Sequence, residues 1–351
     1  HPDGFYEEQD IDLRTSTSVS AIHPASSEVE LNSGERVGYS RLLLATGAAP
    51  RRLSVPGSDL AGVKYHRTLA DADELHEAVI AGAPVVVIGA GWIGSEVAAS
   101  ARQLGADVTV VDMAQVPLER VLGTEMGTVY RDLHLRNGVK FRLGVGIESI
   151  GGASSVQEVK LADGTVLPAG AVVVGVGVLP RTELAEAAGL TVDNGVVTDE
   201  YLETTVPGIY AAGDVANALH PHYGQRIRLE HWSSALNQGT AAAWNMMGEK
   251  RAYDKIPYFF SDQYDFGMEY RGFSTGTDEV VIRRGGSDSE FVAFWLRDSR
   301  VVAAMNANIW DQGEALEALI RFGTRVDKDR LTDPNQELAV IAKDAESSTD
   351  G

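Results

Sequence analysis

The chain has 351 residues, 44% of them hydrophobic, and its 50 acidic and 30 basic side chains leave a net charge of −20. This length predicts two or three domains, and the acidic balance argues against a nucleic-acid partner, which needs a basic surface. The sequence has no cysteine, so we expect no disulfides or thiolate metal sites. It has no apolar run of the roughly 18 residues that cross a membrane and no signal-peptide pattern, and its acidic net charge fits a soluble cytoplasmic protein.

The first part of the chain predicts short strands and then one helix. The predicted elements are strands at Ile11–Val19, Glu28–Leu31, Glu35–Tyr39 and Arg41–Gly47, and a helix at Thr68–Ala81. The strand at Arg41–Gly47 ends in a turn of small residues. Thr68 or Asp71 can cap the helix, and Gly82 can end it.

A glycine motif in a specific context follows. The apolar run Pro84–Ile88 leads into Gly89-x-Gly91-x-x-Gly94 and an alanine-rich segment, and a second apolar strand ends on Asp112. In a dinucleotide-binding unit the first glycine permits a tight turn, the second lets the backbone approach a pyrophosphate, and the third lets helix and strand pack closely. N–H groups at the helix start then bind the phosphates. This order favours a dinucleotide site over a glycine-rich turn of another α/β protein.

Asp112 indicates which dinucleotide binds. An acid at this strand end accepts hydrogen bonds from the adenosine ribose hydroxyls, although it can also be an ordinary turn residue. The next residues, Met113–Gln115, offer no arginine for a 2′-phosphate, and Arg120 is the nearest basic side chain downstream. The sequence therefore favours NAD over NADP.

The rest of the chain alternates helices and apolar strands before an acidic end. In chain order we predict a helix at Thr124–Arg136, a hairpin turn at Asp163–Gly164, strands at Ala171–Gly177 and Gly208–Asp214, a helix at Ser233–Met247, strands at Val280–Arg284, Phe291–Leu296 and Val301–Asn306, and a helix at Gly313–Arg321. Residues after Asp333 form an acidic tail, and disorder is expected at 347–351.

Several motifs in this order resemble one family. They are Ala45–Arg51 (ATGAAPR), the Gly89–Glu96 loop, Gly175–Pro180 (GVGVLP), Ala211–Asp214 (AAGD) after Thr205, Leu229–Gly239 (LEHWSSALNQG) and Tyr258–Tyr264 (YFFSDQY). Together they resemble the FAD-dependent ferredoxin reductases of the putidaredoxin-reductase and rubredoxin-reductase type, in the pyridine nucleotide–disulfide oxidoreductase superfamily. The resemblance covers roughly residues 5–325.

The resemblance implies an α/β fold with two Rossmann-like domains and a C-terminal α+β domain. It divides the chain into a first FAD-binding part (1–79), an inserted NAD-binding domain (80–195), a second FAD-binding part (196–250), a C-terminal reductase domain (251–332) and the tail (333–351). Members of the family begin with their own strand–GxGxxG–helix unit for the FAD pyrophosphate. This sequence has one GxGxxG, so we expect the leading FAD-binding segment to be absent, in a fragment or a truncated gene.

The resemblance also implies cofactors, a partner and site residues. NADH would pass a hydride to FAD, and single electrons would then leave to a ferredoxin-type iron–sulfur protein. The implied FAD-binding residues are Val19, Ala45, Thr46, Gly47, Arg51, Gly213, Asp214 and Trp232. The implied NAD-binding residues are Gly89, Gly91, Trp92, Ile93, Gly94, Glu96, Asp112 and Gly177. We expect no metal site, because His220 and His222 have no accompanying ligand cluster.

Two of these residues carry the implied chemistry, and each has a plainer interpretation. Glu96 would lie near the nicotinamide, or it complements the dipole of the helix that follows the glycine loop. Trp232 would lie beside the flavin on the side that faces the partner, or it is a core tryptophan. Asp214 can be a helix N-cap, and Arg226 and Arg228 are candidate contacts for an acidic ferredoxin.

Other functions remain open from the sequence. A flavoprotein of the same architecture, such as an NADH oxidase or a monodehydroascorbate-type reductase, shares these motifs. A redox sensor similar to apoptosis-inducing factor shares them as well. A truncated chain without flavin would bind NADH and turn nothing over.

Overall fold

The computed structural model describes residues 1–80, 82–275 and 278–347. The chain divides into two compact units, the first from His1–Ala48 and Pro180–Asp254, the second from Ala49–Leu179 and Lys255–Gly351. In the described residues the helices are α1 (Phe5–Glu8), α2 (Leu69–Ile80), α3 (Trp92–Gln103), α4 (Glu119–Arg136), α5 (Glu183–Ala187), α6 (Trp232–Met246), α7 (Gly313–Phe322), α8 (Lys328–Thr332) and α9 (Leu338–Ser347), with a 3₁₀ turn at Gly213–Val215.

The strands are short in the first unit and longest near the C-terminus. They are β1 (Val19–His23), β2 (Glu28–Leu31), β3 (Arg36–Gly38), β4 (Leu42–Leu44), β5 (Ala48–Pro50), β6 (Val63–Lys64), β7 (Val85–Ile88), β8 (Val108–Asp112), β9 (Lys140–Leu143), β10 (Ile147–Gly151), β11 (Glu158–Leu161), β12 (Val166–Pro168), β13 (Ala171–Val174), β14 (Val178–Pro180), β15 (Val196–Thr198), β16 (Ile209–Ala211), β17 (Ala216–His220), β18 (Gln225–Ile227), β19 (Tyr258–Gln263), β20 (Phe266–Gly272), β21 (Glu279–Arg284), β22 (Phe291–Arg297) and β23 (Arg300–Ala307).

The first unit contains three small sheets. Strands β1, β2 and β3 form an antiparallel meander, and β15, β17 and β18 form a mixed sheet. Strand β4 pairs in parallel with β16, so that Leu44 lies opposite Ala211. Because both strands run the same way, the turns that follow them lie at one edge of this pair.

The second unit holds the dinucleotide fold. Its five-stranded parallel sheet has the order β6-β13-β7-β8-β9. Strands β7 (VVVI) and β13 (AVVV) are fully buried, which explains their unbroken apolar sequences, since parallel sheets are covered on both faces. Helix α3 packs its alanine-rich side against this sheet, with Ala98 and Ala101 in the core.

The same unit also holds a three-stranded antiparallel sheet, β10-β11-β12, and a five-stranded antiparallel sheet with the order β19-β20-β23-β22-β21. The apolar face of this five-stranded antiparallel sheet packs on α4, where Leu122, Met126 and Tyr130 meet Phe266, Met305 and other sheet residues. The α/β fold with a C-terminal α+β domain, expected from the sequence, is confirmed.

Several predicted elements differ from the structure. The strand predicted at Ile11–Val19 is wrong: only Val19 belongs to a strand, because Ile11 and Leu13 are exposed and no face of the segment is buried. Helix α4 begins at Glu119 and has a non-helical break at Gly123. Ala81, the predicted end of α2, lies outside the described residues.

The acidic end of the chain contains two helices that were not predicted. Asp327 caps α8 by accepting a hydrogen bond from the N–H of Asp329. Helix α9 buries Leu338, Ile341, Ala342 and Ala345, a helical spacing that the acidic composition hides. The disorder predicted at 347–351 lies outside the described residues except at Ser347, which ends α9. Across 1–80, 82–275 and 278–347, no helix combines the length and hydrophobicity needed to span a membrane.

Candidate cofactor-binding site

The glycine loop of the second unit joins β7 to α3. A Cβ atom on Gly89, where φ is +101°, would lie 2.3 Å from the carbonyl oxygen of Gly175, and a Cβ atom on Gly94 would lie 1.9 Å from that of Gly89. Only glycine fits these two positions. A Cβ atom on Gly91 would meet nothing within 4 Å, so the open space there is available to a ligand.

Helix α3 begins at this loop with no side-chain cap. Gly91 is the N-cap residue and supplies no side-chain acceptor. The N–H groups of the first turn therefore remain available to a ligand phosphate. The geometry of the loop and the helix start fits the pyrophosphate of a dinucleotide.

Asp112 ends the neighbouring strand β8 and holds the loop. Its Oδ2 accepts a hydrogen bond of 2.6 Å from the backbone N–H of Ala90, and its Oδ1 accepts one of 2.7 Å from that of Ala114. Each carboxylate oxygen has a second lone pair, so both can still accept from a ribose hydroxyl. These acceptor positions fit the ribose hydroxyls of NAD, and Met113–Gln115, which follow Asp112, carry no cation for a 2′-phosphate.

Gly177 lies in the loop that follows β13, beside the glycine loop. The N–H of Gly175 donates to the carbonyl of Ile88 at 2.7 Å, and the carbonyl of Gly177 accepts from the N–H of Arg51 at 2.9 Å. Gly177 has a φ of +97° and open space at its Cβ position. The Arg51 side chain is exposed.

The two residues between Gly91 and Gly94 differ in their surroundings. The ring of Trp92 packs edge-on against Tyr130 and Phe259, with centroid distances of 5.8 and 5.0 Å. Trp92 can therefore offer a cofactor its backbone, while its partly buried ring packs against the core. Ile93 is partly exposed at the surface of the loop.

Glu96, in the second turn of α3, is held from β19. Its Oε1 accepts a hydrogen bond of 2.8 Å from Ser261 Oγ. The residue is exposed, yet the protein around its carboxyl group desolvates it enough to raise its pKa, and the charge of Asp262 raises this pKa further, whereas Ser261 and His66 lower it. Sequence reasoning missed both contacts: Ser261 lies in the Tyr258–Tyr264 motif, but nothing local connects it to Glu96, and His66 belongs to no motif.

In the first unit two predicted segments meet at one sheet edge. Ala45–Gly47 follows β4 and Gly213–Asp214 follows β16, its parallel neighbour. The hydroxyl of Thr46 donates to the carbonyl of Arg181 at 2.8 Å, and the Arg181 N–H donates to the Gly47 carbonyl at 2.9 Å. These bonds fix the small-residue turn at this edge.

The turn at Gly213 and Asp214 lies against α6. The Gly213 N–H donates to Gln238 Oε1 at 2.8 Å. Asp214 is half-buried inside the 3₁₀ turn, whose N-cap is Ala212, so the N-cap interpretation of Asp214 is wrong. Burial lowers the pKa of the neighbouring His231, and the charge of Asp214 partly offsets this effect.

Trp232 is the first residue of α6 and is 69% exposed. The interpretation as a core tryptophan is therefore wrong. His231 caps the helix, with Nδ1 accepting from the N–H of Ser233 at 3.2 Å, and the first turn contains no acidic residue. A helix start of this kind, beside two turns of small residues, fits an anionic, phosphate-bearing cofactor such as FAD.

The remaining predicted residues lie apart or serve the fold. Val19 begins β1, in a different sheet from the other residues assigned to FAD. The Arg228 side chain is largely buried, donates to the Asp214 carbonyl at 3.2 Å and pairs with Glu230. Arg226 donates to the backbone carbonyls of Thr198 and Asn217. In the described part of the chain, no three His, Cys, Asp or Glu side chains converge in a way that could hold a metal ion.

Comparison with known proteins places these observations in one family. The model of the pyridine nucleotide-disulphide oxidoreductase family matches residues 5–239, and that of the reductase C-terminal domain matches residues 258–342. The ferredoxin–NAD(+) reductase component of the anthranilate 1,2-dioxygenase system of Burkholderia cepacia is 38% identical over 334 residues, which are 94% of this chain and 82% of that protein.

Putidaredoxin reductase of Pseudomonas putida is 38% identical over 309 residues, which are 86% of this chain and 73% of that protein. The crystal structure of the covalent putidaredoxin reductase–putidaredoxin complex matches with a TM-score of 0.94 at 35% identity, and covers 99% of this chain and 85% of that chain. With its glycine loop, its strand-end acid and its C-terminal sheet, this chain belongs to the pyridine nucleotide-disulphide oxidoreductase family.

Proposed function

We propose that this protein is an NADH-dependent, FAD-containing reductase that passes electrons to a ferredoxin-type iron–sulfur protein. The observation that carries the proposal is the loop at Gly89–Gly94 with Asp112 beside it, an NAD-type site, in a chain similar over nearly its whole length to a reductase crystallised with putidaredoxin. The similarity to the anthranilate-system reductase supports the same class of acceptor.

The nicotinamide cofactor would be held by the second unit. The N–H groups at the start of α3 would bind the pyrophosphate, the open space over Gly91 would admit it, and Asp112 would accept from the ribose hydroxyls. Gly177 would line the same edge. Glu96 would lie near the nicotinamide, where a carboxylate accepts from an amide N–H donor.

The flavin would be held by the first unit. The turns Ala45–Gly47 and Gly213–Asp214 and the N-terminus of α6 are the groups we assign to it. Bound FAD supplies the conversion of a two-electron hydride donor into single electrons. Trp232, exposed at the start of α6, is the residue that we assign to contact with the iron–sulfur partner. The roles of Arg51 and Val19 rest on family resemblance.

The organisation of the chain in domains is part of this proposal. We assign FAD binding to residues 1–79 and 196–250, NAD binding to residues 80–195, and the reductase C-terminal role to residues 251–332. These boundaries differ from those of the compact units, since residues 49–79 lie in the second unit and residues 180–195 in the first. The 351 residues contain one GxGxxG, and we assign this loop to NAD and not to FAD. A cytoplasmic location remains a proposal based on the net charge.

The test is an anaerobic spectroscopic titration. The purified chain, reconstituted with FAD if it is colourless, is titrated with NADH and then with an oxidised [2Fe–2S] ferredoxin. Bleaching of the flavin bands by NADH, in preference to NADPH, followed by their return as the ferredoxin is reduced, supports the proposal. Failure to take up FAD contradicts the flavin assignment. Electron transfer to oxygen or to a quinone, but to no iron–sulfur protein, contradicts the acceptor.

A further inference from the structure

Three fully buried polar side chains in the second unit form a hydrogen-bonded chain that ends on Glu96. Ser261 Oγ donates to Glu96 Oε1 at 2.8 Å, and Gln263 Nε2 donates to Ser261 Oγ at 3.1 Å. Gln263 Oε1 lies 2.8 Å from Nε2 of His134 on α4. Ser261, Gln263 and His134 are each no more than 2% exposed.

The donor and acceptor properties of these groups fix one direction for all the hydrogen bonds in the series. An amide oxygen can only accept, so His134 carries a proton on Nε2 and its Nδ1 is an acceptor. The hydroxyl of Tyr264, 3.2 Å from Nδ1, is then the donor. Every donor along the chain points toward Glu96. Aligned hydrogen bonds polarise one another, and their effect at the end of the chain favours a charged acceptor.

Tyr264, at the end of the hydrogen-bonded series farthest from Glu96, has an unfavourable backbone conformation. Tyr264 has a φ of +59° in the two-residue turn between β19 and β20, a conformation that favours glycine. This turn places the Tyr264 ring edge-on to His134, with a centroid distance of 5.4 Å. Burial raises the pKa of Tyr264 to about 12, so its hydroxyl keeps its proton and remains a donor. Strained backbone of this kind is characteristic of positions that orient functional groups.

Burial also keeps His134 neutral, as one proton on Nε2 requires. Desolvation lowers the pKa of His134, although the bond to Gln263 opposes this shift. Around Glu96 itself, Asp262 on β19 disfavours the charged form, and His66, after β6, favours it. The buried hydroxyl of Tyr130 on α4 has no hydrogen-bond partner among the described residues, and Glu96 and Asp262 both act on its ionisation.

We propose that Gln263 and His134 are positioning residues that act through Ser261 to hold Glu96 as an oriented carboxylate beside the nicotinamide-binding loop. The inference rests on the proposed function only for the identity of the cofactor. Protonation of Glu96 would favour the reversed chain, in which the Gln263 amide turns over and the His134 proton moves to Nδ1. The charge of Glu96 and the tautomer of His134 are therefore linked.

The test measures the pKa of the Glu96 carboxyl group and does not require enzymatic turnover. The pKa of Glu96 is followed by ¹³C NMR of glutamate-labelled protein, with Glu96→Gln to assign the signal. Ser261→Ala is expected to raise this pKa by about one pH unit, because a donor to the charged form is lost. Gln263→Met, similar in volume, is expected to raise it by a smaller amount. Ser274→Ala, which removes a hydroxyl bonded to Tyr270 OH at 2.6 Å, is the matched control and should leave it unchanged.

The tautomer of His134 provides an independent measurement. In ¹⁵N spectra the wild type should show the Nε2–H tautomer near neutral pH. Tyr264→Phe, a change at the half-buried end of the chain, should weaken this preference and leave the fold intact. An unchanged Glu96 pKa in Ser261→Ala, or in a folded Gln263→Met, would overturn the inference and leave these residues as ordinary satisfied core groups. An Nδ1–H tautomer in the wild type would overturn it as well.

These outcomes are separate from those of the proposed function. If the chain takes up no flavin, the pKa and the tautomer can still be measured. If NADH reduces the flavin, the pH midpoint of the reduction rate should shift upward in Ser261→Ala in step with the Glu96 pKa. A purely structural role for Ser261 would lower the thermal stability and leave that midpoint in place.

Discussion

The carboxylate of Asp112 accepts a hydrogen bond of 2.6 Å from the backbone N–H of Ala90, in the middle of the glycine loop. An acid at this strand end binds the ribose in this fold. Here it also connects the glycine loop to β8 through the hydrogen bond from Ala90. The two tasks are compatible because a carboxylate has about four acceptor sites.

Asp112→Ala is therefore expected to destabilise the glycine loop and to weaken the binding of NADH. Two backbone N–H groups lose their partner, at a cost of about 1–3 kcal/mol in the free energy of unfolding. Affinity for NADH should fall by about 10- to 100-fold. Calorimetric titration and denaturant unfolding measure the two effects. Asp107→Asn, at an exposed acid paired with Lys140, is the control; unchanged NADH affinity in Asp112→Ala would contradict the assignment.

Substitution by alanine should have different effects at two glycines of the loop: at Gly94 it should lower stability, and at Gly91 it should lower the affinity for NADH. A Cβ atom on Gly94 would lie 1.9 Å from a backbone oxygen, so Gly94→Ala should reduce the free energy of unfolding by about 2–4 kcal/mol. Gly91 has open space and an ordinary φ of −76°, so Gly91→Ala should fold with a loss of less than about 1 kcal/mol.

Gly91→Ala should nevertheless lose NADH affinity by about tenfold or more, because the new methyl group occupies the space over the loop. Thermal unfolding and fluorescence titration of both variants distinguish the two effects. If Gly91→Ala binds NADH as tightly as the wild type, the pyrophosphate does not lie where we propose.

The glycine loop could be predicted because its signal is local. Strand, turn, helix and acid lie within about 30 residues, and the backbone sterics that demand glycine act over the same short distance. The small-residue turns after β4 and β16 were predicted for the same reason. That the parallel pairing of these strands brings the two turns together is a tertiary fact that no local pattern contains.

The partners of Glu96 could not be predicted. Ser261 is 165 positions away in the chain, and a serine in an aromatic strand has no periodicity that identifies it. Trp92 shows a second limit: its place in the motif predicts a cofactor contact, but it does not reveal that the ring packs on Tyr130 and Phe259. Tertiary packing decides where a large side chain is buried, even inside a local motif.

Trp232→Ala is expected to slow the reduction of the ferredoxin partner and to leave the reduction of the flavin by NADH unchanged. The side chain is 69% exposed, so the free energy of unfolding should change by less than about 0.5 kcal/mol. An exposed tryptophan at an interface is a typical hot spot, so electron transfer to a ferredoxin should fall by about tenfold or more. Anaerobic bleaching by NADH and ferredoxin reduction are measured on the same preparation. Met247→Ala, at an exposed residue directly after α6, is the control, and an equal loss in both reactions would show that Trp232 acts on the flavin alone.

His134 should make stability depend on pH in a defined direction. Its pKa in the folded protein lies below its ordinary value of 6.5, so between these two values the unfolded chain binds more protons than the folded one. Stability is then fully present above about pH 6.5 and is lost as the pH falls toward the folded pKa, by up to about 1.4 kcal/mol per pH unit. His134→Gln can keep a donor to Gln263 and cannot titrate. The difference in free energy of unfolding between wild type and variant should therefore be constant above pH 7 and shrink on acidification. The depressed pKa of His231 affects the wild type and the variant equally, so its contribution cancels in the difference between their free energies of unfolding. A difference that stays constant down to pH 5 would show that His134 does not resist protonation.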